Sequence, residues 1–104
     1  MHYDERANGQ EIETKVNEHL DISLPEARTA GYKWATKSGA EPVLRLVEET
    51  SRPNSAGVGG AGDHLWRYQA TDAGTGTIEF HYRRPWDKSA EPERTFRLKV
   101  HVRP

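Results

Sequence analysis

Phe96, Leu98, Val100 and Val102 alternate with Arg97, Lys99, His101 and Arg103, the cleanest apolar–polar alternation in the chain. Side chains along an extended backbone point to opposite faces in turn, so this period of two demands a strand with one buried face. The same period recurs upstream. Leu20, Ile22 and Leu24 flank Asp21 and Ser23 before Pro25 ends the run, and Tyr32, Trp34 and Thr36 share a face opposite Lys33 and Ala35. Trp66, Tyr68 and Ala70 oppose Arg67 and Gln69, and Ile78, Phe80 and Tyr82 alternate with Thr77, Glu79 and His81. Trp34 has strand formers two residues to either side and is read as core.

Two weaker segments complete the set. Glu11 to Val16 alternates through Ile12 and Thr14 as a short edge strand, and Val43 to Val47 is an apolar run broken only by Arg45. Its length and branching favour a strand over a helix. Turn chemistry separates the runs at Ser38–Pro42, at Asp72–Gly76 and over the Ser-, Pro- and Gly-rich stretch from Thr50 to Gly62. About seven short strands without a sustained helical period predict an all-β chain, a Greek-key β-sandwich over residues 11–104. Polar residues 1–10 are expected to form a flexible N-terminal tail. At 104 residues the chain is one domain, and with 34% hydrophobic against 30% charged residues its core must be thin. Two small facing sheets suit such a core better than a helical bundle does.

Cysteine is absent, so neither a disulfide nor thiolate chemistry is available. No apolar run approaches the ~20 residues that cross a bilayer, and no basic start precedes an apolar stretch at the N-terminus. No membrane partner is expected, and localisation stays open between cytoplasm and export. The net charge of -1 hides a gradient: residues 1–26 carry seven acids and two bases, the remainder nine acids and thirteen bases. So small a net charge argues against a nucleic-acid partner. Arg28, Arg52, Arg83, Arg84 and Lys88 sit in loops, where they either steer an acidic partner or are simply solvated.

The loops carry the functional signal. In a Greek-key sandwich alternate connections leave at the same end, which gathers residues 26–31, 50–62 and 83–93. These are the chemically unusual loops, whereas the opposite turns near Ser38 and Asp72 are plain. Gly57-Val58-Gly59-Gly60 lacks the lysine and following helix of a phosphate cradle. Its bare backbone either pairs with the wall of a partner's cleft or is a loose connector. Pro85 fixes φ and pushes Arg84 towards an extended shape, leaving Trp86 on a stiffened tip. A ring held there docks at little entropic cost, or folds back as a lid on its own sandwich.

Three motifs then meet a known pattern. Leu24-Pro25-Glu26-Ala27-Arg28-Thr29-Ala30-Gly31-Tyr32-Lys33-Trp34, Gly57-Val58-Gly59-Gly60 and Arg84-Pro85-Trp86 resemble the chagasin family, immunoglobulin-like inhibitors of papain-type cysteine proteases. The motifs keep the family's order and fall on the expected loops, and the likeness spans nearly all of residues 11–104. The first loop departs from the family's Asn-Pro-Thr-Thr-Gly-Tyr. Thr29, Gly31 and Tyr32 are kept, while Ala27, Arg28 and Ala30 replace the asparagine, the proline and the second threonine. The chain thereby loses a hydrogen-bonding side chain and a rigid φ.

What the resemblance implies is an immunoglobulin-like fold and a reversible, non-covalent wedge. Arg28, Thr29, Ala30 and Gly31 would sit over the protease's catalytic cysteine and histidine. Gly57, Val58, Gly59 and Gly60 would lend main-chain hydrogen bonds along the non-prime side. Arg84, Pro85 and Trp86 would take the other flank, Trp86 by stacking and Arg84 by charge-assisted bonds. The implied partner is a papain-type cysteine protease, the cell's own or foreign, met by a monomer without any cofactor.

Other classes fit the residues less well. For an enzyme, the five histidines are scattered and no nucleophile motif exists, so no catalytic residue is assigned. His81 and His101 on neighbouring strands suggest at most a two-ligand metal contact, short of the three or four that zinc takes, and no metal site is assigned. A carbohydrate- or single-strand-binding module would use Trp86 with Arg83, Arg84 and Lys88 but leaves the glycine loop unexplained. A structural or adhesive immunoglobulin-like domain is the remaining alternative.

Overall fold

Two four-stranded sheets face each other in the computed structural model, which describes residues 1–27, 31–53, 61–84, 86 and 91–104. The strands are β1 (His2–Tyr3), β2 (Gln10–Lys15), β3 (His19–Ala27), β4 (Lys33–Gly39), β5 (Leu44–Pro53), β6 (Ala61–Ala70), β7 (Gly74–Arg83) and β8 (Arg94–Arg103). One sheet has the order β1-β3-β6-β5 and the other β2-β8-β7-β4. The seven expected strands are present, and the Greek-key sandwich with them. Among the described residues, no helix is long and apolar enough to cross a membrane.

The alternating residues meet in the middle. Leu20, Ile22, Leu24, Trp66, Tyr68 and Ala70 of the first sheet are buried against Ile78, Phe80, Tyr82, Phe96, Leu98, Val100 and Val102 of the second. Aromatic rings bridge the layers. Trp66 stacks on Phe80 with centroids 3.9 Å apart, and Phe80 lies 5.8 Å from Phe96. Trp34 is buried as expected, at the start of the edge strand β4.

Three expectations needed correction. Residues 1–10, read as a flexible tail, carry β1, a 3₁₀ turn at Glu5–Ala7 and the first residue of β2. They cross from one sheet to the other, because β1 pairs with β3 and β2 pairs in parallel with β8. Ala7 is buried there, and the Asn8 side chain accepts the Arg97 N–H at 2.8 Å. Secondly, the strand expected over Val43 to Val47 begins at Leu44, with Val43 in the preceding turn. A bulge between Leu46 and Glu48 breaks the register on the edge strand β5, and Leu46 and Val47 stand exposed. Thirdly, the loops are shorter than expected, since β3 runs on to Ala27 while β5 and β6 extend to Pro53 and Ala61.

Both chain ends lie at the same pole of the sandwich. The N-terminal ammonium donates to the His19 carbonyl at the start of β3, and the Val16 N–H donates to the Arg103 carbonyl at the end of β8.

Candidate functional site at the loop pole

Strand register decides where the three unusual loops emerge. Ala27, the last residue of β3, pairs with Ala61, the first of β6, and Gly62 lies between Glu26 and Pro53. In the other sheet Lys33 opens β4 opposite Arg83, which closes β7. The connections β3–β4, β5–β6 and β7–β8 therefore leave at one pole. Of the anticipated site residues, Gly31, Arg84 and Trp86 are described; Arg28, Thr29, Ala30, Gly57, Val58, Gly59, Gly60 and Pro85 lie outside the described residues.

The three described residues are brought together. Gly31 has φ of 80°, a backbone state open to glycine, and a Cβ built on it would stand 2.5 Å from Cη2 of Trp86. The absence of a side chain at Gly31 is thus what lets the edge of the indole rest on the first loop. The rest of the ring is open, for Trp86 is 70% exposed. That corrects the alternative in which Trp86 is a lid on its own core.

Arg84 reinforces the same junction. Its guanidinium lies 4.9 Å from the centroid of Tyr32, the residue after Gly31. Tyr32 in turn stacks on Tyr82 at 5.2 Å, and Tyr82 contacts Trp34 at 4.8 Å. A ladder of rings therefore runs from the loop pole into the core, tying the third loop to the first. Tyr32, a strand residue by alternation and a kept residue of the first-loop motif by resemblance, precedes β4 and gains its contacts with Arg84 and Tyr82 from the fold.

Beneath the loops the inward faces turn polar. Glu26 is 3% and His64 9% exposed, and His64 Nδ1 lies 3.0 Å from Glu26 Oε2. The other ring nitrogen lies 2.7 Å from Glu49 Oε2. Glu26 also accepts the Trp34 backbone N–H at 2.9 Å. Local composition made Glu26 a loop residue, yet the alternation Leu20, Ile22, Leu24 continues to it and marks it as inward-facing. The expected facing of His81 and His101 does not occur: His81 lies opposite Thr95 and bonds Glu79, and His101 lies opposite Thr75 and bonds Glu11.

The model of the chagasin family of peptidase inhibitors, I42, matches residues 13–100. The chain belongs to this family. It is 35% identical over 104 residues to Amoebiasin-1 of Entamoeba histolytica, an alignment covering 98% of this chain and 99% of that protein. Chagasin of Trypanosoma cruzi is 27% identical over 84 residues, 76% of each chain. Among solved structures, the cysteine protease inhibitor EhICP2 from Entamoeba histolytica superposes with a TM-score of 0.86. That likeness covers 98% of this chain and 93% of the other at 22% identity, and speaks to the fold. As a member of the chagasin family the chain is a peptidase inhibitor and not an enzyme. Two residues of its altered first loop that keep the family pattern, Gly31 and Tyr32, are the two that receive Trp86 and Arg84.

Proposed function

We propose that the loop pole is the wedge with which this inhibitor of papain-type cysteine proteases fills the active-site cleft of its target. In this reading Thr29, flanked by Arg28, Ala30 and Gly31, covers the catalytic cysteine and histidine. Gly57, Val58, Gly59 and Gly60 bring side-chain-free or small-residue backbone up to one wall, where main-chain hydrogen bonds form as in strand addition. Arg84, Pro85 and Trp86 take the other wall. Binding is reversible and non-covalent, one inhibitor to one protease, and the loops are not cleaved because none presents a scissile bond in register.

The observation that carries this reading is the posture of Trp86. A large ring that is 70% exposed yet braced along one edge by Gly31 has already lost much of the freedom that docking would otherwise remove. Apolar area displayed in this way is what binding hot spots are made of.

The test is a panel of papain-type proteases, papain and a cathepsin L-like enzyme among them, titrated with the purified protein. Competitive, tight inhibition is expected, with activity regained on dilution and the inhibitor recovered at its original mass. Absence of inhibition at micromolar concentrations across the panel would overturn the reading.

A further inference from the structure

Beyond the residues assigned to contact, we infer that the buried pair Glu26 and His64, with Glu49 at its half-exposed end, forms a clamp that positions the first two inhibitory loops. The inference rests on the wedge reading for its effect on inhibition. The three side chains come from β3, β6 and β5, the strands that lead into and out of those loops. His64 is held between two carboxylate oxygens, at 3.0 Å and 2.7 Å. Both ring nitrogens of His64 thus have a carboxylate oxygen within hydrogen-bond distance.

The clamp also reaches across to the second sheet. β4 is an edge strand, and the Trp34 N–H finds its acceptor in Glu26 at 2.9 Å. The Trp34 indole N–H donates to the Pro25 carbonyl at 2.8 Å. Residues 25 and 26 are thereby tied to residue 34 by two hydrogen bonds, which close the stem of the first loop. His64 is itself braced from below, its ring stacked on Trp66 with centroids 4.1 Å apart and planes within 7°.

Stability alone gives little reason for such a cluster. Replacing a buried charged group and its partners by well-packed apolar residues is often neutral or stabilising, whereas hydrogen-bonded geometry is directional and fixes relative position. At this place the fixed quantity is the separation of loop stems. Glu26, His64 and Glu49, with Trp34 bonded to Glu26, are positioning residues, acting through the loops they hold.

The experiment pairs inhibition with amide hydrogen exchange. Glu26→Ala should weaken inhibition of papain by about tenfold through lost preorganisation. Glu26→Gln, which keeps an oxygen for the Trp34 N–H, should recover most of that loss. Val100→Ala, a core truncation away from the clamp, serves as the control for general destabilisation. It should lower the melting temperature yet leave inhibition within about twofold. Exchange in segments 27–34 and 54–61 should accelerate in Glu26→Ala and not in Val100→Ala.

Wild-type inhibition by Glu26→Ala, an equal loss in Val100→Ala, or unchanged exchange in both segments overturns the clamp. Should Glu26→Ala fail to fold, Glu49→Ala at the half-exposed end of the cluster carries the same exchange and inhibition test. If the wild type inhibits no papain-type protease, the wedge reading falls, while the exchange measurement still decides whether the clamp holds the loops.

Discussion

The two poles of this sandwich are built on opposite plans. At the pole away from the loops, turns are short and bonded to one another. The Asn17 N–H donates to the Ala70 carbonyl, Ala70 N–H to the Glu18 carbonyl, and Thr71 N–H to the Val43 carbonyl. Gly76 makes that packing possible, since a Cβ there would lie 2.8 Å from Ala40 Cβ and Val43 Cγ2 and 2.9 Å from the Ala40 carbonyl oxygen. At the loop pole a glycine again faces an atom inside contact distance, but the neighbour is the solvent-facing Trp86. One glycine lets the core close, and the other lets an exposed indole rest without being buried. On the proposed wedge reading, fold stability and target recognition thus fall to different ends of the same strands.

The sharpest way to break this division is at Gly76. Gly76→Ala forces backbone or core atoms apart and should cost about 3 kcal/mol of stability, read by denaturant unfolding. Inhibition per folded molecule should be unchanged; a parallel loss of affinity would mean that the poles are coupled. Trp86→Ala should do the reverse, costing about 2 kcal/mol of binding free energy with no shift in melting temperature. Gly31→Ala combines an unfavourable φ with displacement of the indole and should cost about 1 kcal/mol of binding. Wild-type affinity in that variant would separate Trp86 from its seat.

The smallest effect should be acid sensitivity, and it belongs to the outer faces rather than to either pole. Arg67 holds the Asp21 carboxyl below its ordinary 3.8, and Arg97 with His81 holds Glu79 below 4.5. Folding therefore favours the ionised carboxylates. Their contribution is complete above those ordinary values and is lost as pH falls through the lower folded-state values. The melting temperature should drop as the solution is acidified below about pH 4, and the drop should be smaller in Asp21→Asn. An unchanged acid limb in that variant would show the Asp21–Arg67 pair, at 2.9 Å, to be without effect.

Strand parity made most of the fold legible. The apolar positions Phe96, Leu98, Val100 and Val102 are all buried and their charged neighbours Arg97 and Lys99 are exposed. What parity could not reveal was pairing. His2–Tyr3 is too short for a period to register, and it is a strand because β3 offers a partner. Pro53 and Gly62 read as loop by composition, yet they pair across β5 and β6, with Pro53 on an edge strand where a missing N–H is tolerated.

The site divides in the same manner. The clustering of loops could be read from strand count, whereas the Arg84-Pro85-Trp86 sequence left Trp86 open between an exposed ring and a lid, which its 70% exposure decides. The contact of Trp86 with Gly31 could not, because it joins parts of the chain that no local pattern relates. Glu26 and His64 were missed for a different reason. Their polarity suggested surface, and only strict continuation of the alternation through Leu24 and back from Trp66 assigns them inward.

The placement of the chain ends has a practical side. With Met1 bonded to His19 and Arg103 bonded to Val16, a linker or surface attachment added at either residue departs from the pole opposite to the one that Ala27, Ala61 and Arg83 reach. A tether placed there leaves the far pole, where the proposed contacts lie, uncovered.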